Sequence, residues 1–139
     1  MIRSTLIFLS LLAFTACSPV QTVTDPKNPS GLPIYFLDDH AAASISFLNH
    51  RAERLPSGHL SIAFTCQGLY EKKSEKPVVI DWRVVFFDRQ HFPADETEWH
   101  TEYLLPGEVK MLQAGSIRTD CTGFQVQMRT SAGGKRKQG

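Results

Sequence analysis

Residues 76–88 read KPVVIDWRVVFFD and alternate with a period of two. Val78, Ile80, Trp82, Val84 and Phe86 fall on one face, while Asp81 and Arg83 share the other with Val79, Val85 and Phe87. Successive side chains of a strand point to opposite faces, so this run reads as a strand buried fully on one side and partly on the other. Such a strand belongs in the middle of a sheet that packs against a second sheet.

The same period recurs along the chain. In HLSIAFTCQGLY, residues 59–70, Leu60, Ile62, Phe64 and Cys66 alternate with Ser61, Ala63, Thr65 and Gln67. The polar EKKSEKP that follows reads as a loop, which would make this run and the next an antiparallel pair. Further strands are expected at Ser44 to Asn49, Trp99 to Leu104, Glu108 to Gln113 after the LPG turn, and Gly123 to Thr130. Helix fits only near Asp38 to Ser44. Six or seven short strands separated by Pro, Gly and charged loops predict an all-β, immunoglobulin-like antiparallel β-sandwich over residues 34–131. The length from Cys17 onward suits one domain with one core.

The two ends differ from this body. Arg3 followed by the apolar run Leu6 to Phe14 and the small Ala16 has the form of an export signal over residues 1–16. That run is too short to span a bilayer, which takes roughly 20 apolar residues as a helix. Phe14-Thr15-Ala16-Cys17 resembles the bacterial lipobox, with Phe14 where leucine is commoner. The resemblance implies acylation of Cys17, cleavage before it, and anchoring through acyl chains that each contribute about 0.8 kcal/mol per buried CH₂. Ser18 in place of an inner-membrane retention aspartate implies the outer membrane, facing the periplasm. Residues 17–33 carry four prolines and one glycine and are expected as a flexible tether. Residues 132–139, which end in GGKRKQG, read as a disordered basic tail.

Charge bounds the partners. The 15 basic side chains fall to 14 once Arg3 leaves with the leader, matching the 14 acidic ones. A chain so balanced has no net field to draw it to nucleic acid.

A family resemblance rests on LYEKKSEKPVVIDWRVVFFDRQHF, then a tryptophan-bearing segment, then LPGEVKMLQAGS. These residues resemble the YcfL family of small bacterial envelope lipoproteins, over about Leu69 to Met128 together with the lipobox. Glu71 stands where that family has asparagine, and Arg89-Gln90 where glycine often follows the aspartate corner. The resemblance implies a sandwich fold and an envelope role without established chemistry or a catalytic residue.

Individual residues offer little chemistry. Asp88 at a strand end suits a turn, where its carboxylate accepts backbone N–H groups. Cys66 and Cys121 remain as an even pair in an oxidising compartment, and a bridge between them would stabilise the fold by about 4 kcal/mol; two buried thiols are the alternative. His40, His50, His59, His91 and His100 show neither HxxxH nor HExxH spacing, so they read as surface-loop residues, with no metal site and no cofactor expected. Asp38-Asp39-His40, or His91 with Asp95, would form a site only through tertiary folding. Glu96, Glu98 and Glu102 fit a solvated strand face. No GxSxG elbow, P-loop or dinucleotide-binding glycine pattern is present. The expected function is therefore a lipid-anchored, non-catalytic binding or structural module of the cell envelope, meeting an envelope protein or cell-wall component through a sheet edge or loop end. A docking lipoprotein of a secretion system and a small periplasmic hydrolase are the alternatives.

Overall fold

The computed structural model describes residues 25–69 and 76–131. Two sheets pack face to face. One is β2 (Ile45–Arg54), β3 (Leu60–Gly68) and β7 (Val109–Gly115), in the order β2-β3-β7. The other is built on β4 (Val78–Phe87) with β8 (Gly123–Thr130) along one edge, β1 (Ile34–Phe36) outside β8, and β5 (Pro93–Glu96) and β6 (His100–Leu104) end to end along the other edge of β4. A short helix, α1 (Asp39–Ser44), links β1 to β2.

Alternation in the sequence becomes the core. Ile62, Phe64 and Cys66 from β3 face Ile80, Trp82, Val84 and Phe86 from β4, and Phe47, Val126 and Met128 complete the layer. A row of rings crosses it: Phe36, Phe47, Phe64 and Trp82, with centroids 6.0, 6.2 and 5.4 Å apart. Phe64 meets Trp82 at 88°, the edge-on geometry that aromatic quadrupoles favour. The Trp82 indole N–H is buried without a partner among the described residues, a cost outweighed by the area its ring removes from water.

The all-β sandwich stands, with three differences from expectation. First, β3 and β4 do not pair with each other. β3 bonds β2 and β7, whereas β4 bonds β8, β5 and β6, so the connection after β3 crosses from one sheet to the other. Both strands carry large apolar side chains on one face, and stacking those faces buries them where pairing edge to edge would not. Second, the sheet is not wholly antiparallel: β1 runs parallel to β8, with Tyr35 opposite Gln127. Third, residues 25–33, expected as part of the tether, pack on the body. The Asn28 side chain donates to the Leu32 carbonyl and accepts from its amide, both at 2.9 Å. Leu32 is buried, and the Phe47 amide donates to the Lys27 carbonyl at 2.7 Å. Residues 17–24, the leader and the tail at 132–139 lie outside the described residues.

Local chemistry explains the joints. Asp38 caps α1, its carboxylate accepting from the Ala41 amide at 2.8 Å, and it also accepts from the Thr130 amide and hydroxyl at 2.7 Å each. One carboxylate thus ties the helix start to the end of β8. At the β6–β7 corner, a Cβ on Gly68 would lie 2.6 Å from the Leu105 carbonyl oxygen, closer than packed atoms approach. Replacing Gly68 with Ala is expected to destabilise the fold by about 1–3 kcal/mol through overpacking against a backbone that cannot yield, as measured by urea unfolding.

Burial pushes the Asp38 carboxyl up, but its bonds from Ala41 and Thr130, with His40 nearby, outweigh this and hold it below the ordinary value. A depressed carboxylate contributes stability that is present above its unfolded pKa and fades as pH falls through the folded one. Asp38→Ala should therefore lose stability at neutral pH, by about 1 kcal/mol from the lost cap. The gap from wild type should narrow as pH is lowered below about 4, read from unfolding midpoints across that range.

Candidate interaction surface

The residues with chemical potential are spread over the molecule. His40 lies in α1, His50 in β2 and His100 in β6, while His59 and His91 lie in connections. Three of the five are thus in regular elements, not loops. His50 touches the Ser30 hydroxyl at 3.0 Å, His59 the Ser116 carbonyl at 3.0 Å, and His100 stacks on Trp82 at 4.9 Å. Among the described residues no three His, Cys, Asp or Glu side chains gather as a metal site would require. Asp88 has the turn role its position suggests: it accepts from the Gln90 amide at 2.8 Å and the Phe92 amide at 3.1 Å. The turn it braces holds His91 at φ 63°, in the left-handed region.

The Cys66–Cys121 bridge is corrected. Both cysteines are free and buried. Cys66 sits opposite Lys110 in β3, whereas the Cys121 carbonyl accepts from Arg54, whose partner is Leu60 at the other end of β3. Six residues of strand amount to about 20 Å, far beyond the reach of a disulfide, which needs Cα atoms within about 7 Å. An even number of cysteines carries no information about distance. Burial, reinforced by the nearby Glu102, raises the Cys66 thiol to about 11, and burial with Asp120 raises that of Cys121. Thiolates are the reactive form, so neither cysteine should react with a thiol probe in the folded protein. Both should react in guanidinium, and reductant should leave the melting temperature unchanged.

One end of the sandwich carries a cleft of about 580 Å³ between the β2–β3, β4–β5 and β7–β8 connections. Several charged groups in and beside it hold its loops. Arg54 donates to the carbonyls of Gly58, Thr119 and Cys121 at 2.8, 3.1 and 2.5 Å. Arg118 pairs with Asp120, whose carboxyl it holds below the ordinary value. Asp95 accepts from the Ile117 amide at 2.5 Å. These bonds fasten the loops around the cleft.

The outer face of the larger sheet behaves similarly. The guanidinium groups of Arg129 and Arg83 lie 4.0 and 4.7 Å from the Trp99 ring centre. Arg83 also bonds Gln127 at 2.9 Å, and the largely buried Asp81 accepts from Thr101 at 2.7 Å and from Arg129 at 3.4 Å. Trp99 is thereby clamped, fixing the link between β5 and β6.

What remains unoccupied is backbone. The Gly68 amide bonds the Glu108 carbonyl and the Ser116 amide bonds the Leu60 carbonyl, so the even-numbered positions of β7 face β3. In an antiparallel ladder the alternate residues aim their N–H and C=O the other way. Val109, Met111 and Gln113 therefore present theirs outward, and none is bonded among the described residues. The side chains beside this edge are apolar and exposed: Met111 at 64%, Tyr103 at 60%, Leu105 at 54% and Val109 at 50%. The expectation of a sheet edge as a binding feature has a concrete candidate in β7, which no sequence motif marks.

The fold defines a small all-β sandwich domain. No protein-family model matches the sequence, and no curated protein does. Among solved structures it is similar to Campylobacter jejuni cj0090, with a TM-score of 0.56 at 10% identity over 71% of this chain and 98% of that one. A DUF1425 family member from Shewanella sp. pv-4 aligns with a TM-score of 0.49 at 17% identity, over 63% of this chain and 76% of that one. The likeness to the Campylobacter protein is one of fold alone.

Proposed function

We propose that this chain is an outer-membrane lipoprotein, anchored through acyl chains on Cys17 and facing the periplasm. Its domain acts there as a non-catalytic binding or structural module for an envelope protein or cell-wall component, in keeping with the envelope role that its resemblance to the YcfL family implies. The observation that carries the reading is the leader: a basic start, an apolar run, and Ala16 directly before Cys17. Two or more acyl chains hold a protein on a bilayer where one binds only marginally.

The domain's own chemistry supports the non-catalytic part. Asp38, Asp81, Asp88, Asp95 and Asp120 each hold a backbone or side-chain partner that fastens the fold. A hydrolase would need a nucleophile or activated water with a positioned base beside it. In cells making the full chain, Cys17→Ser should abolish incorporation of labelled fatty acid and release the protein from the membrane fraction. Persistence of both label and membrane association in that variant would overturn the anchor.

A further inference from the structure

We propose that the cleft at the loop end of the sandwich binds the free C-terminal carboxylate of a peptide, held by the guanidinium of Arg89. The inference rests on the proposed binding role and deepens it by naming the chemistry of the ligand.

Sites for small ligands are clefts of about 300–1,000 Å³ in which a few polar groups converge. The cleft of about 580 Å³ between the β2–β3, β4–β5 and β7–β8 connections is of this size. Its walls are fastened to one another by the fold itself. Arg54 ties the β2–β3 connection to the β7–β8 connection through the carbonyls of Gly58, Thr119 and Cys121. The Thr122 amide donates to the Phe87 carbonyl at 2.8 Å and so holds the β7–β8 connection against the end of β4. A site ordered in advance loses little affinity to ordering on binding.

The ligand class follows from which lining groups are engaged and which are not. Asp120 is paired with Arg118, Asp88 accepts from the Gln90 and Phe92 amides through one oxygen, and Arg54 is bonded to three carbonyls. Arg89 has neither hydrogen bond nor ion pair among the described residues, and the same holds for the side chains of Gln90, Thr119 and Thr122. A guanidinium fork matches the two oxygens of a carboxylate, and a carboxamide with two hydroxyls beside it supplies further donors. A phosphate is favoured by a nest of free backbone amides. Here those of Gln90 and Phe92 are taken by the Asp88 carboxylate, and that of His91 by the Asp88 carbonyl. The second carboxylate oxygen of Asp88 accepts nothing among the described residues, which disfavours a dianion but suits an N–H donor close to the ligand's carboxylate. The last residue of a peptide carries that pair, an amide N–H beside a carboxylate. Phe92 and Ile117, the two most exposed large apolar side chains among the described residues, stand on two of the connections that form the cleft. They offer apolar surface to the residues that precede the terminus.

The test is an amide NMR titration of the isotope-labelled full chain in detergent micelles. Its probes are acetyl-trialanine as the free acid, the same peptide as its C-terminal amide, and the acid with D-alanine at its last two positions. The acid should bind saturably, with shifts centred on Arg89, Gln90, Thr119 and Thr122, and the amide at least about tenfold more weakly for want of the charge-assisted bonds. Arg89→Gln should weaken the acid at least about tenfold and leave the amide's affinity unchanged. Its melting temperature should match wild type, since the guanidinium has no partner in the fold. Arg89→Lys keeps the charge without the fork and should fall between. Binding of either acid supports the site, tighter binding of the D-alanine acid pointing to wall peptides as the source and of the all-L acid to protein chain ends. Equal affinity for acid and amide, shifts centred elsewhere, acid binding unaltered in Arg89→Gln, or no saturable shift at millimolar peptide would each overturn the proposal. None of these outcomes bears on the Cys17→Ser labelling, so failure of this site and failure of the anchor are told apart.

Discussion

The stacking of the inner faces of β3 and β4 is the contact on which the rest of the molecule depends. Phe64 stands edge-on to Trp82 at 5.4 Å, flanked by Ile62 and Cys66 on one side and by Ile80, Val84 and Phe86 on the other. Fully burying such side chains is worth roughly 1.5–3 kcal/mol each before entropy is counted. Because the two strands meet through their faces, each keeps both edges for hydrogen bonding. β3 takes β2 and β7, and β4 takes β8 and the β5–β6 pair. The open edge of β7 is therefore a consequence of where the large apolar side chains sit, not a separate feature.

Charge in this protein is spent locally. Arg54 holds three carbonyls of two connections, Asp38 joins α1 to β8, and Asp81 lies between Thr101 and Arg129 under the Trp99 clamp. Bonds to charged groups are roughly twice as strong as neutral ones, which suits them to fastening irregular segments outside the core.

Legibility in the sequence followed the length and period of each element. β8 spans Gly123–Thr130 as its alternation of Phe124, Val126 and Met128 indicates, and α1 falls within Asp38 to Ser44. β1 and β5 escaped because three or four residues cannot display a period, and Pro33 and Pro93 read as breaks. Alternation says which face is apolar but not whether two apolar faces share a sheet or oppose each other, so β3 and β4 resembled a hairpin. The edge status of β7 was invisible for a similar reason: VKMLQAG carries the pattern of any half-buried strand, and its outward amides follow only from topology. The proline-rich approach at residues 25–33 looked like linker, yet Leu32 alone supplies a core anchor and Asn28 braces the turn before it.

Amide hydrogen exchange along β7, in dilute conditions that favour single copies, probes this architecture most directly. Lys110, Leu112 and Ala114 should be protected by their bonds to β3, while Val109, Met111 and Gln113 should exchange quickly, giving a two-residue alternation. Uniform protection across all six amides in a single copy would mean that another part of the chain already covers the edge. Uniformly fast exchange would mean that β7 does not belong to the sheet at all.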